Sequence, residues 1–317
     1  MRRKTQQESG RFWRVVTLGV VAGAQFVCLG QTATVSVTPS GDAFVRALAP
    51  GSNYGAAGSL SVSGLAATNE LGHQNGLSDS LMRFPMSGVA SSLNGSLGSN
   101  GWVVTGATLV VTEVGAPNNG IFNRGVGAFE IRWIASDGWV EGTGRPITPT
   151  TDGVAYQDLS SVLNPAVDVS LGQFTNGGVD GPVSFPLGLA GALVSNVVAG
   201  TDLNLYLTEA STSVGFTFNS RDFTGTNSWP SLAITAVAKP LARISSIERL
   251  GTNQVALRFN TVSNWTYAVQ GLAALPAGAP GGWSNLCIVP AKPIDDQAVY
   301  VDTVTNRQRY YRLLLSH

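Results

Sequence analysis

Short runs of alternating apolar and polar residues, broken by turn formers, fill the chain from residue 34 onward. Residues 34–38 (Thr-Val-Ser-Val-Thr) and 59–63 (Ser-Leu-Ser-Val-Ser) alternate with the period of two that turns one face of a strand inward. Residues 105–112 form a β-branched run that ends near Gly115-Ala-Pro-Asn-Asn-Gly120, a turn signal. Phe129, Ile131 and Trp133 fall on one face of the next strand, and Glu130 and Arg132 on the other. Residues 203–207, 214–218 and 232–237 complete the series. One segment breaks the rule: Leu189, Leu193, Val194, Val197 and Val198 recur at helical spacing between Pro186 and Gly200. The pattern predicts an all-β protein, a jelly-roll-like β-sandwich with one short helix closing an end.

Lys239-Pro240 marks a boundary. Strand patterns resume at 255–259, 267–270, 283–286, 299–302 and 309–313, around an Ala/Pro/Gly-rich loop at 272–282. They predict a small C-terminal β-sandwich module over 239–317, after a first unit over 31–238. No internal repeat stands out.

Composition sharpens this reading. Of 317 residues 44% are hydrophobic and only 12% charged, and 38 are glycine. Disordered chains lack that much apolar content, so the chain folds, with a neutral polar surface. Residues 1–30 have the form of a secretory signal peptide. Arg2, Arg3, Lys4, Arg11 and Arg14 precede an uncharged stretch at 15–29, shorter than the roughly 20 residues that span a bilayer. The expected localisation is therefore secreted or cell-surface, with no stable membrane span in the mature chain. The leader carries five of the 19 basic residues and one of the 19 acidic ones, so the remainder is net −4. That charge is split. Residues 31–238 hold six Arg, no Lys and 14 acidic residues, net −8, and residues 239–317 are net +4. Neither half offers the dense basic stripe that nucleic acid needs, whereas contact between the two halves suits their charges. Only Cys287 remains beyond the leader, so no internal disulfide holds the exported chain, and Cys287 reads as a small hydrophobe.

Several short segments stand out besides the strand pattern: Gly41-Asp-Ala-Phe-Val-Arg46, Ser52-Asn-Tyr-Gly55, Leu81-Met-Arg-Phe84, Ala107-Thr-Leu-Val-Val111, Val214-Gly-Phe-Thr-Phe-Asn-Ser-Arg-Asp222 and Trp229-Pro-Ser-Leu-Ala-Ile-Thr235. Together they resemble the DNRLRE-type β-sandwich domain, grouped with a carbohydrate-binding module family whose known members bind alginate. Asp137-Gly-Trp-Val-Glu-Gly-Thr143 is similar to the family's Trp-x-Glu-Gly segment, although Thr148-Pro-Thr-Thr-Asp-Gly153 stands where the family tends to place a second Trp. The C-terminal strand order resembles the small fibronectin-III-like module that ends many secreted proteins of Verrucomicrobia-type bacteria.

The resemblance implies a secreted, non-catalytic protein that binds an extracellular polysaccharide. Aromatics near turns are the candidates for stacking on sugar rings: Trp102, Trp139, Tyr156 and Trp229, with core packing as the competing role. Arg46, Arg83 and Arg221 occupy recurring Arg positions of the family. Arg83 is the candidate for gripping an anionic sugar, while Arg46 or Arg221 can pair internally with Asp42 or Asp222. Asp42 and Asp222 are the candidate ligands for a structural calcium ion. The sequence offers no catalytic residue. His73 and His317 are the only histidines, and no Gly-x-Ser-x-Gly elbow occurs. Paired carboxylates stay open, since any two of the 14 acidic side chains can meet in space. Two other classes compete: a structural or adhesive surface protein with no glycan site, and an accessory domain of, or weakly active, polysaccharide lyase.

Overall fold

A computed structural model describes residues 31–317 except 69–71, 75, 99–100, 115–124, 274–281 and 305–307. The leader, the turn at 115–120 and most of the loop at 272–282 lie outside the described residues.

Among the described residues the first unit contains eleven strands: β1 (Thr32–Val37), β2 (Gly41–Arg46), β3 (Ser59–Ser63), β4 (Ser78–Phe84), β5 (Trp102–Glu113), β6 (Gly127–Ile134), β7 (Val169–Asn176), β8 (Gly181–Leu187), β9 (Leu203–Glu209), β10 (Gly215–Asn219) and β11 (Ser231–Ala238). They join antiparallel in the order β1-β11-β5-β10-β3-β4-β9-β6-β7, with β2 added to β4 and β8 to β5. Two links in this path are single residue pairs, Phe218 with Glu113 and Ser63 with Ser78. The sheet turns there, so its two wings face each other. Leu109, Leu232 and Ile234 from one wing meet Met82, Phe84, Leu205 and Leu207 from the other in one core. Phe129 stacks on Phe216 at 4.9 Å and meets Phe185 edge-on at 5.1 Å inside it. Each such ring contributes on the order of 2–3 kcal/mol by burial. The all-β sandwich predicted from the alternation is the observed fold.

The predicted short helix is α3 (Gly191–Ala199), which buries Leu193 and Val197 and ends on Gly200 in the left-handed region. Two helices beyond that prediction are α1 (Val89–Leu97), which buries Val89, Leu93 and Leu97, and the single turn α2 (Leu159–Val162). Six more strands form the second unit: β12 (Ile244–Arg249), β13 (Gln254–Thr261), β14 (Thr266–Leu272), β15 (Ser284–Val289), β16 (Asp296–Thr303) and β17 (Tyr310–Ser316). Sheets β12-β13-β16 and β15-β14-β17 enclose Leu257, Phe259, Trp265, Tyr267 and Val269, with half-buried Cys287 packed beside them. Val103 and Val237 of the first unit pack against that cluster.

One wing of the sandwich is covered on both faces. Residues between β6 and β7 lie over the outer side of β2, β4 and β9. There Trp139, Val154, Leu159 and Val162 pack on Ala43, Val45, Leu81 and Tyr206 in a second core. Polar side chains fix this irregular cover. Asp168 accepts the Ala135 and Asn164 N–H groups at its two ends, at 3.0 and 2.6 Å. In its middle, the fully buried amide of Asn53 donates to the carbonyls of Glu141 and Val154, at 2.7 and 2.8 Å. The same amide accepts the N–H groups of Gly55 and Gly144, at 3.1 and 3.2 Å. Glycine is required around it, because a Cβ on Gly144 would lie 1.8 Å from the Asn53 carbonyl oxygen.

Asn53→Ala therefore strands two buried carbonyls and two N–H groups. At about 1 kcal/mol or more for each unsatisfied group, the first unit should lose roughly 3–4 kcal/mol, read as a lower urea midpoint. An unchanged midpoint would show that the cover is held by packing alone.

Candidate functional site

The covering segment carries Glu141 to the start of β2 and to the loop between β10 and β11. Asp42 is the second residue of β2 and is fully buried. Its N–H donates to Glu141 Oε1 at 2.8 Å. The Arg221 N–H donates to Asp42 Oδ2 at 2.8 Å, and the Arg221 guanidinium pairs with Glu141 Oε2 at 3.1 Å and with the Ser40 carbonyl. Exposed Asp222 completes the group, so that one carboxylate oxygen each from Asp42, Glu141 and Asp222 lies within 4.8 Å of the others. Among the described residues, Asp42 Oδ1 is buried with no hydrogen-bond partner. Burial pushes the Asp42 carboxyl well above the ordinary carboxylate range. The Arg221 N–H opposes that rise, and the neighbouring Glu141 and Asp222 charges add to it. Glu141 is also raised, mainly by burial.

The two aspartates expected to meet a cation are thus brought together, and sequence reasoning missed their third partner. Asp42 and Glu141 are 99 positions apart, so no local spacing could show the contact. The available signal was the Trp-x-Glu-Gly resemblance, which contains Glu141.

The aromatic candidates are not brought together. Trp139 is only 4% exposed. Its indole N–H donates to Asn204 Oδ1 at 3.0 Å, and the Arg83 guanidinium covers its ring at 4.5 Å from the centroid. Arg83 itself donates to the carbonyls of Asp137 and Trp139, both at 2.7 Å, and to Asn204. Neither residue presents a sugar-binding face, because the second core takes the ring and backbone carbonyls take the guanidinium. Half-buried Trp102 leans on the main core and donates to Asn94 Oδ1 at 2.9 Å. Trp102 pairs with Ala238 at one end of the β5–β11 ladder, and Trp229 precedes the other end. That places them on the order of 25 Å apart at the usual rise per residue. Tyr156 is half-buried against the second core.

Trp229 has a different setting. It is half-buried, and its indole N–H donates to the Phe223 carbonyl at 2.8 Å. Phe223 is 38% exposed and follows Asp222 directly. Asp222, Phe223 and Trp229 therefore share the β10–β11 loop beside the acidic group. His73 lies exposed on the β3–β4 connection. Among the described residues no helix is long and apolar enough to cross a membrane.

No protein-family model matches the chain, and neither does any curated protein. Among solved structures it is similar to a β-1,2-glucanase from Parabacteroides distasonis, at 9% identity and a TM-score of 0.16 over 90% of this chain and 34% of that one. The chain spans about a third of that structure's length, and a likeness this slight carries no argument.

A second buried acid, Asp79 on β4, faces the covering segment. Burial raises its pKa from 3.8 to about 6, against the donated hydroxyls of Thr208 and Tyr206 and with the repulsion of Glu209. The folded state holds this proton more tightly than the unfolded one. The stability it contributes is complete below pH 3.8 and is lost as pH rises through about 6. The unfolding free energy of the wild type, read from urea titrations, should therefore fall relative to that of Asp79→Asn between pH 4 and 7, by about 3 kcal/mol in all. Parallel profiles for the two proteins would refute the burial effect.

Proposed function

We propose that this chain is an exported, non-catalytic protein that holds an extracellular polysaccharide on the β10–β11 loop. The observation that carries this reading is the grouping of Asp222, Phe223 and Trp229 on that loop, over the Asp42–Glu141 contact. The indole N–H bond to the Phe223 carbonyl restrains the Trp229 ring. Restrained aromatic faces stack on sugar rings with little loss of freedom, and nearby carboxylates take sugar hydroxyls. The resemblance of residues 41–235 to a carbohydrate-binding sandwich supports the same class of ligand. The net −8 of residues 31–238 favours a neutral glycan, or an anionic one bridged by a cation.

The burial of Asp42 supports a binding role over a hydrolytic one. Glycosidase carboxylates face a sugar from both sides of the scissile bond, whereas Asp42 is sealed within the sandwich. The leader form of residues 1–30 supports export to the medium or the cell surface. The C-terminal module serves as an attachment or spacing device.

A glycan array of the full chain, followed by affinity electrophoresis against each hit, tests the site. Phe223→Ala and Trp229→Ala should each weaken binding about 2–10-fold, the equivalent of about 0.5–1.5 kcal/mol per aromatic contact. Trp102→Ala, at the far end of the ladder, should leave it unchanged. Unaltered affinity in both loop variants would remove the site, and an array without hits would leave the structural or adhesive spacer. The opposite charges of residues 31–238 and 239–317 also support an electrostatic contact between the units. Raising salt from about 0.05 to about 0.5 M should then lower the melting temperature of the full chain, and equal melting would exclude such a contact.

A further inference from the structure

The acidic group beside β2 contains a buried oxygen that the protein leaves unpartnered. Asp42 is fully buried, its Oδ2 accepts the Arg221 N–H, and among the described residues its Oδ1 has no donor. An unpaired buried carboxylate oxygen loses its hydration without return, which ordinarily destabilises a fold. Two further carboxylates stand beside it, each with an oxygen within 4.8 Å of an Asp42 carboxylate oxygen. They are half-buried Glu141, brought in by the covering segment, and exposed Asp222, brought in by the β10–β11 loop.

We propose that Asp42 Oδ1, with one carboxylate oxygen each from Glu141 and Asp222, seats a hard divalent cation of the calcium class. The geometry fits. Two oxygens that each lie about 2.4 Å from one calcium ion can be at most about 4.8 Å apart, and one carboxylate oxygen from each of Asp42, Glu141 and Asp222 falls within 4.8 Å of the other two. The charge fits as well. Three carboxylates and the Arg221 guanidinium sum to −2, which a divalent ion neutralises and a monovalent ion does not. All-oxygen donors select calcium or magnesium over zinc and copper. Calcium accepts the irregular, partly hydrated shell of three side chains and water that this edge allows, whereas magnesium demands a near-octahedral one. The exposed side, at Asp222, leaves coordination positions open to solvent or to hydroxyls of a ligand.

Such an ion would tie three distant segments together: the start of β2, the covering segment and the loop that carries Phe223 and Trp229. The inference deepens the glycan reading by naming what underlies that loop, and the two can fail separately.

The test uses the full chain, stripped with chelator and dialysed, in isothermal titration and thermal melting with calcium, magnesium or potassium chloride. Calcium should bind once per chain and raise the melting temperature by several degrees, with magnesium weaker and potassium inert. Asp222→Asn should weaken calcium at least tenfold without changing the melting temperature of the stripped protein. Asp42→Asn should leave the stripped protein at least as stable while abolishing the calcium response, since it removes a buried charge together with its ligand oxygen. A folded, stripped wild type that gives neither heat nor a melting shift at millimolar calcium would overturn the proposal. Calcium binding that persists in both variants would overturn it equally. Calcium binding without any glycan hit would sink only the glycan reading.

Discussion

The buried amide of Asn53 is the constraint on which the candidate site depends. Its two donors and two acceptor positions are all used, on four backbone groups from the turn after β2 and from the covering segment. Without those bonds, the carbonyls of Glu141 and Val154 would lie buried against the sandwich with no partner. The covering segment has no strand or helix ladder at that point to supply one. A single side chain thus does for this irregular stretch what a sheet ladder does elsewhere. Gly55, Gly142, Gly144 and Gly153 surround it because any Cβ there would strike Asn53 or its partners. With the segment fixed, Trp139 drops into the second core and Glu141 is delivered to Asp42.

The short motifs that resemble a carbohydrate-binding sandwich acquire a physical meaning from this arrangement. Asp42, Asn53, Arg83, Trp139, Glu141, Arg221 and Asp222 come from five separate motifs, and all of them take part in one junction. Arg83 braces the covering segment through two carbonyls. Arg221 braces Glu141 and the approach to β2. Most of the residues that carry the resemblance therefore hold the sandwich together, and a ligand meets only the outer rim of what they build.

The strands were legible where one face is buried and the other is not, as in β5 and β11, since alternation is then visible. In β2 and β4 the covering segment buries both faces, strict alternation is lost, and only the resemblance marked them. Helix α1 escaped notice because serines, Asn94 and Gly95 separate its three buried residues. The covering segment was unreadable for a deeper reason. Its order comes from Asn53 and Asp168, side chains that bond to backbone up to 101 positions away. Trp139 lies beside turn formers, which suggests exposure, and the Arg83 guanidinium that covers it is 56 positions distant. Asp42 and Asp222 could be chosen by residue type, but their convergence on Glu141 is a product of topology.

Strands β2 and β4 pair with each other and carry one buried aspartate each, and the contrast between them is informative. Asp79 sits in a site that answers its needs from within: two hydroxyls donate to it, and burial favours its neutral form at mildly acid pH. Asp42 is buried as deeply, yet among the described residues only one of its oxygens is answered, and two further carboxylates stand beside it. Like charges gathered around an unpaired oxygen raise the free energy of the fold. Arg221 relieves part of this through Glu141 and through its own N–H, but it leaves Oδ1 untouched. A structural role alone would be better served at position 42 by asparagine, which is neutral and nearly the same size. The chain uses asparagine at position 53, where only hydrogen bonds are needed, and keeps aspartate at position 42, where negative charge is concentrated. That division of labour matches a site whose remaining partner is positive and comes from outside the chain.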